Sequence, residues 1–154
     1  MKHFYTTLLI FLLGLSCQQL QAAEPATFEI PDMEKIEEAV RDSRSPYYYP
    51  DLLKEYLGND TTMNLAEFRH LYLGYACQED YNPYRMVEVP KHIEEMYLQT
   101  VHTESECDSI IKYARQILAD IPLDLRQINF LVYGLRQKGE NREADVWEYR
   151  LKGL

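Results

Sequence analysis

The sequence predicts an all-α protein of about seven helices, packed as antiparallel hairpins in a tetratricopeptide-like solenoid or an irregular bundle. Three observations support this fold class. Apolar residues recur at intervals of three and four along most of the chain. Helix start and stop signals divide this pattern into segments that are joined by short connections. The alternation of apolar and polar residues that is typical of β-strands is not convincing anywhere.

The first two predicted helices have clear boundary residues. Asp32 is placed to cap the first helix, whose apolar stripe follows it. Pro50 begins the second helix, because proline is favoured at the first helical position. Gly58 ends the second helix, since glycine accepts the backbone conformation that a helix stop often needs.

The third predicted helix begins at a capping box and is expected to be central. Asn64 can accept from the amide three residues ahead, and Glu67 can reach back to the Asn64 amide. Apolar residues then occupy two sides of the helix, a pattern typical of a helix with neighbours on both sides. The two stripes consist of Leu65, Phe68, Tyr72, Tyr75 and Ala76, and of Ala66, Leu73 and Cys77.

Four further helices are predicted after residue 89. Pro90 begins the fourth, and Thr103 with Glu106 forms a second capping box before the fifth. Pro122 ends the fifth helix, and Asp124 caps the sixth.

The last two helices resemble a tetratricopeptide hairpin. Gly139 lies in the turn between them, and Ala144 follows five residues later, where a small side chain lets the second helix pack closely. A single hairpin does not establish a repeat, so the solenoid and the irregular bundle both stay open.

Residues 1–22 have the layout of a secretory signal peptide. Lys2 gives a positive start, and an apolar run from Phe4 to Leu15 follows it. This run is shorter than the roughly 20 residues that a membrane-spanning helix requires. We therefore expect export, cleavage before Ala23, and a single helical domain over residues 23–154 that is periplasmic or secreted.

A lipoprotein is the alternative product of export. Cys17 would then be the lipidated residue and would anchor the chain in the outer membrane. Ser16 suits this interpretation, but Gly14 stands where a lipobox normally has leucine. We favour the soluble product, and we expect membrane association only if Cys17 is lipidated.

The charge of the chain limits its partners. Its formal net charge is −9 at pH 7. Nucleic-acid binding depends on clustered lysine and arginine, so we do not expect DNA or RNA as a partner.

Two cysteines, Cys77 and Cys107, remain in the expected mature chain. Cys77 ends the third predicted helix and Cys107 begins the fifth. If successive helices alternate in direction, the two thiols lie at opposite ends of the domain, too far apart for a disulfide. We therefore expect two buried free thiols.

Two tyrosine-rich corners are the most distinctive parts of the chain. In Ser45–Pro50 two prolines hold three consecutive tyrosines extended, so their side chains cannot all face one core. In Gly74–Arg85 two tyrosines flank an Asn-Pro pair that ends the third helix. The rings could simply clamp a helix stop, or they could form a contact surface, because exposed tyrosine binds with a small loss of entropy. The surface predicted from these corners comprises Tyr47, Tyr48, Tyr49, Arg69, Asp80, Tyr81 and Tyr84.

Residues 45–84 resemble an uncharacterised exported family of Bacteroidetes, domain-of-unknown-function family 4919. The likeness lies in the PYYYP block, in the helix with Arg-x-Leu-Tyr-x-Gly-Tyr, and in the Gln-x-Asp-Tyr-Asn-Pro-Tyr corner. The resemblance implies an envelope location and a helical fold over residues 28–154. It implies no catalytic residue, because the family has no established activity.

Recognised catalytic and cofactor motifs are not found in the sequence. His92 and Glu95 have a spacing that can bind zinc, but no third ligand accompanies them, so we expect no metal and no cofactor. The function that we predict is a non-enzymatic helical module of the bacterial envelope that binds a protein or peptide.

Two alternatives remain open. An envelope glycan-binding protein or hydrolase would be supported if Asp80 faced a second carboxylate across a cleft, roughly 5–9 Å away for hydrolysis. A purely structural subunit of a larger complex is the other alternative.

Overall fold

The structure, a computed structural model, describes residues 30–58 and 61–154, and these contain seven α-helices and no strand. The all-α class is therefore confirmed. The predicted signal peptide and Cys17 lie outside the described residues. The helices are α1 (Met33–Arg41), α2 (Tyr49–Leu57), α3 (Leu65–Tyr75), α4 (Lys91–Tyr97), α5 (Glu104–Asp120), α6 (Leu125–Gln137) and α7 (Asn141–Gly153).

The predicted helix caps are confirmed at four starts. The carboxylates of Asp32 and Asp124 accept from the amides three residues ahead. Asn64 and Thr103 each form a complete capping box, with Glu67 and Glu106 reaching back to the cap amides. These bonds satisfy amides that have no partner inside a helix, which fixes where each helix begins.

The first core cluster is formed by the three N-terminal helices. Val40 of α1, Leu52 of α2 and Leu71 of α3 are buried together in it. Gly74 allows α1 and α3 to approach closely, because a Cβ atom added at this glycine would lie 2.6 Å from Val40 Cγ1. The helix α3 also contacts α7, so its predicted central position among these helices is confirmed.

The inward face of α3 differs from the predicted stripes. Leu65 is 77% exposed and Tyr72 is 40% exposed, whereas Phe68, Leu71 and Gly74 are buried. The prediction that Leu65 and Tyr72 face inward was therefore wrong. The neighbouring helices select the face that carries Gly74, because only this face lets the backbones come close together.

The second core cluster is formed by the three C-terminal helices. Ile111 of α5, Leu131 of α6 and Ala144 of α7 are buried in it. Lys138, just after α6, forms ion pairs with Glu104 and Asp108 at the start of α5, so these two helices are antiparallel.

The turn between α6 and α7 has the predicted form. Gly139 has a positive φ of 75°, a conformation that glycine adopts without strain, and Ala144 is fully buried. The hairpin is thus observed, while the tetratricopeptide-like arrangement of the whole domain stays a prediction.

Candidate functional site

The structure distributes the seven predicted surface residues around the C-terminal end of α3. Tyr48 and Asp80 line a groove of about 530 Å³ beside the end of α1, which we call the α1 groove. Tyr81 lines a cavity of about 330 Å³ that also contacts the loop after α5, which we call the corner cavity. Arg69 is exposed on α3 but lines neither of them. The predicted single surface is therefore divided into separate parts.

The three consecutive tyrosines take three different environments, as the two prolines predicted. Tyr47 stacks flat on the ring of His70, with the ring centres 3.8 Å apart and the planes 3° from parallel. Tyr48 is half-buried and lines the α1 groove. Tyr49 begins α2 and is buried in the first core cluster. Of the three, only Tyr48 lines a groove.

Tyr49 serves the core rather than a ligand. Burial raises the pKa of its hydroxyl to about 12, and the charges of Tyr75 and Asp80 act in the same direction. A phenol with this pKa stays neutral at physiological pH. Because its side chain is enclosed, Tyr49 cannot belong to the predicted binding surface, and its inclusion there was wrong.

In the Asn-Pro corner one tyrosine clamps the helix stop, as one of our two interpretations predicted, and the other is exposed. The Asn82 side chain accepts from the Tyr84 amide at 2.9 Å, which closes a turn after the helix stop. Tyr81 folds back and meets the ring of Tyr75 edge-on, with the ring centres 5.1 Å apart. Tyr84 is 87% exposed and makes no such contact. Tyr81 thus clamps the corner, whereas Tyr84 is available to a partner.

A second cavity continues from the corner cavity. It has a volume of about 310 Å³ and shares Arg85, Ile121 and Asp124 with the corner cavity. The two adjacent cavities lie along the segment Tyr81–Pro90, and we call them together the furrow. Most of its lining is apolar or aromatic, including Tyr75, Leu123, Val87, Val89, Tyr97 and Ile117.

An ion pair holds the furrow segment against α5. Arg85 Nη2 donates to the carboxylate of Asp120 in the last turn of α5. Both side chains are partly exposed, so the pair is accessible to solvent. It fixes one point of a segment that otherwise lacks regular structure between residues 85 and 90.

Sequence reasoning missed the residues that follow this corner. Met86, Leu98 and Val101 are 89%, 81% and 80% exposed. Val87 and Val89 are half-buried and line the furrow. The alternation in Met86–Val89 could have indicated that this segment is extended. It spans only four residues, however, and lies between the Asn-Pro corner and Pro90.

The acids of the α1 groove are Glu79 and Asp80, which are neighbours in the chain. Arg41 lies in the same groove, donates to the Cys77 carbonyl at 3.3 Å and forms an ion pair with Glu37. The lining of this groove is therefore of mixed charge. A carboxylate that faces Asp80 from another element is not among its lining residues in the described part of the chain.

The histidines have structural contacts. His92 meets the Tyr113 ring edge-on, and His102 lies 2.9 Å from the Tyr133 hydroxyl and 2.8 Å from the Met96 carbonyl oxygen through its two ring nitrogens. His102 is half-buried. Among residues 30–58 and 61–154, no group of three or more His, Cys, Asp or Glu side chains is arranged to hold a metal ion.

Both cysteines are free thiols in the structure. Cys107 is buried beside α6, and Cys77 is half-buried beside the end of α1. Burial raises the pKa of each thiol, which disfavours the reactive thiolate.

Comparisons with known proteins place the chain in a family. Residues 34–154 match the family model described as Domain of unknown function (DUF4919). No curated protein and no solved structure matches the chain. Within the described residues, no helix has the length and apolar character needed to cross a bilayer. Because the match covers most of the chain and includes every described helix except the first residue of α1, the chain belongs to the DUF4919 family.

Proposed function

We propose that this protein is a non-enzymatic helical module of the bacterial envelope that binds a protein or peptide along the furrow. The observation that carries the proposal is the furrow itself, two adjacent and largely apolar cavities whose edge bears large exposed side chains. Tyr84 and Met86 lie on the furrow segment, and Leu98 follows α4; all three are more than 80% exposed. Met86 and Leu98 line the same cavity, and exposed large apolar side chains that lie together are typical of interaction sites.

The composition of this surface favours a protein partner. Tyrosine and methionine are enriched at protein interfaces. Tyrosine supplies a large contact area at a low cost in conformational entropy. Tyr81 and Met86 are of these two types, and both line the furrow. The proposed surface therefore retains Tyr81 and Tyr84 from the sequence prediction and adds residues 86–98.

The location in the envelope rests on the sequence of residues 1–22. Mass spectrometry of the mature protein from its source cells tests it, because a free Ala23 amine and a lipidated Cys17 differ greatly in mass. An N-terminus that still carried Met1 would contradict export.

A matched pair of variants tests the furrow. Tyr84→Ser combined with Met86→Ser removes two exposed apolar groups from its edge, whereas Leu65→Ser removes one that is 77% exposed at the start of α3. Neither variant changes a buried residue, so both should fold normally. Each is used as bait in an extract of the cell envelope, and captured proteins are quantified against the unaltered chain.

We expect the furrow variant to lose a partner that the Leu65→Ser variant and the unaltered chain both retain. Equal capture by all three baits would contradict the proposal. The same would follow if the two variants lost their partners equally, since general stickiness of exposed apolar groups would then explain the binding.

The α1 groove favours glycan binding as a second candidate function. Tyr48 offers an aromatic ring there beside the polar groups of Gln78 and Asp80, a combination that can hold a sugar. An NMR titration with a chitin oligosaccharide tests this candidate. Shifts confined to Tyr48, Gln78 and Asp80, which disappear in Tyr48→Ala, would support it, and unchanged spectra would contradict it.

A further inference from the structure

Part of the segment along the furrow, Met86–Val89, has an unpaired backbone. The amide and carbonyl groups of the four residues Met86–Val89 make no hydrogen bond within the described part of the chain. The bonds of the corner end at Arg85, whose amide donates to the Asn82 carbonyl, and the bonds of α4 begin at the Pro90 carbonyl. Four consecutive residues therefore present free donors and acceptors, which are the groups that an added β-strand uses.

The side chains of the same segment alternate as they do in a strand. Met86 and Glu88 are exposed, whereas Val87 and Val89 are half-buried. Both valines line the furrow, and the exposed Met86 borders it as well. Side chains two positions apart share one face only when the chain is extended. The valines thus hold the segment on the furrow, and no hydrogen bond among the described residues occupies its backbone edges.

The charges beside the segment indicate which partner would fit. Glu88 lies on the segment, and Glu94 lines the furrow from α4. Within the described residues neither carboxylate forms an ion pair, whereas Arg85 is already paired with Asp120. Arg126 is the other cation in this lining, and its guanidinium lies over the rings of Tyr97 and Phe130. The two acids without an ion pair therefore favour a strand that carries lysine or arginine beside them.

We propose, on the basis of the proposed function, that the furrow receives an extended basic segment of a partner protein. This segment pairs as a β-strand with Met86–Val89. Its backbone bonds with that edge, its basic side chains lie on the side of Glu88, and its apolar side chains lie on the furrow side with Val87 and Val89. Pairing between two copies of this chain is disfavoured, because it would bring two sets of acids together.

Three synthetic peptides test the proposal on the full mature chain. The probe is the hexapeptide Lys-Val-Lys-Val-Lys-Val. The backbone control is the same peptide with every amide N-methylated, which removes its donors. The charge control is Glu-Val-Glu-Val-Glu-Val. Hydrogen exchange of individual amides is followed by NMR with each peptide at about 1 mM, which detects weak binding.

Strand pairing predicts a pattern of exchange that other binding modes do not produce. Amides of successive residues point to opposite edges of an extended chain, so only Met86 and Glu88, or only Val87 and Val89, should exchange more slowly, by about tenfold or more. Neither control peptide should slow them. In the variant Glu88→Lys the preference should reverse, with the acidic peptide giving more protection than the basic one.

Other outcomes would overturn strand pairing and can be told apart from failure of the proposed function. Shifts of Tyr97 and Ile121 without alternate protection would mean that the furrow binds peptides in another way. No binding of the probe, or protection that grows with protein concentration alone, would refute the basic strand as occupant. The proposed function itself stands or fails with the capture experiment on Tyr84 and Met86.

Discussion

The guanidinium carbon of Arg150 lies 4.8 Å from the ring centre of Tyr56, a contact that joins the last helix to the second. The same guanidinium carbon lies 4.5 Å from the ring centre of Trp147, so the cation contacts two aromatic rings. The Tyr56 hydroxyl in turn donates to the Pro122 carbonyl at 3.1 Å. Arg150 thereby connects α7, α2 and the loop after α5, and it links the two halves of the domain.

Replacing Arg150 separates the role of its charge from the role of its volume. The side chain is 1% exposed, and its Nε and Nη2 atoms have no hydrogen-bond partner in the described residues. Burial also lowers the pKa of the guanidinium. Burying a cation without hydrogen-bond partners destabilises the folded state, while each cation–π contact stabilises it by roughly 0.5–2 kcal/mol. We expect Arg150→Met, which keeps the volume, to change the free energy of unfolding by less than about 1.5 kcal/mol.

The matched variant Arg150→Ala should cost about 2–5 kcal/mol, because it leaves a cavity between the two rings. Urea denaturation of both variants gives the comparison. If the methionine variant were as unstable as the alanine variant, the charge rather than the packing would hold this junction.

Gly74→Ala tests the close approach of α1 and α3. The added Cβ would lie 2.6 Å from Val40 Cγ1, which is too short for any real contact, so the helices must move apart. We expect the free energy of unfolding to fall by about 1–3 kcal/mol, as measured by urea denaturation.

Val40→Ala removes the Cγ1 atom with which the added Cβ would clash. It should therefore restore part of the stability that Gly74→Ala loses. The double variant should be more stable than the sum of the two single changes predicts, by about 0.5 kcal/mol or more. Additive losses would indicate that Gly74 is required for a reason other than contact with Val40.

Local rules predicted the helix starts because each depends on residues within one turn. Asn64 with Glu67 and Thr103 with Glu106 form bonds across three positions, so the sequence contains everything that decides them. Pro90, which was predicted to begin α4, is its N-cap and lies one residue before the first helical position. The all-α class followed from the same short-range information.

Residues that depend on distant partners could not be predicted in this way. The helix α3 has apolar groups on most sides, and the approach of Val40 to Gly74 decided that Leu65 and Tyr72 face outward. His102 is held by Tyr133, which lies 31 positions along the chain. Met86 and Leu98 are exposed because no other part of the described chain packs over them. A local sequence pattern contains no information about such distant packing.

Tyr49 makes the stability of the fold sensitive to alkaline pH. Burial raises its pKa from about 10 to about 12, and Tyr56 is raised to about 12 for the same reason. The folded state thus holds these protons more tightly than the unfolded chain. The stabilisation that these two protonated hydroxyls give to the folded state is fully present below pH 10 and is lost as the pH rises through about 12.

Tyr49→Phe should make the free energy of unfolding fall less steeply with rising pH, because the variant has no hydroxyl to ionise at that position. The free energy of unfolding, measured by urea denaturation at several pH values above 9, gives the slope for each protein. Tyr84→Phe is the matched control, since Tyr84 is 87% exposed and its removal should leave the slope unchanged. Parallel slopes for all three proteins would refute the assignment.

Asp120→Ala tests whether the ion pair with Arg85 holds the furrow segment in place. Surface ion pairs contribute about 0–1 kcal/mol, and a carboxylate in the last turn of a helix opposes the helix dipole, so overall stability should hardly change. The segment should nevertheless loosen, because Arg85 loses its anchor on α5. Trypsin, which cuts after arginine, should therefore cleave at Arg85 faster than in the unaltered chain.

Asp108→Ala is the matched control on the same helix. It also removes an exposed carboxylate from an ion pair, here with Lys138, far along the chain from the furrow. Its cleavage rate at Arg85, read by mass spectrometry of early fragments, should equal that of the unaltered chain. If Asp120→Ala were also cleaved at Arg85 at the rate of the unaltered chain, the valines alone would hold the segment. Strand pairing would then not depend on the ion pair of Arg85.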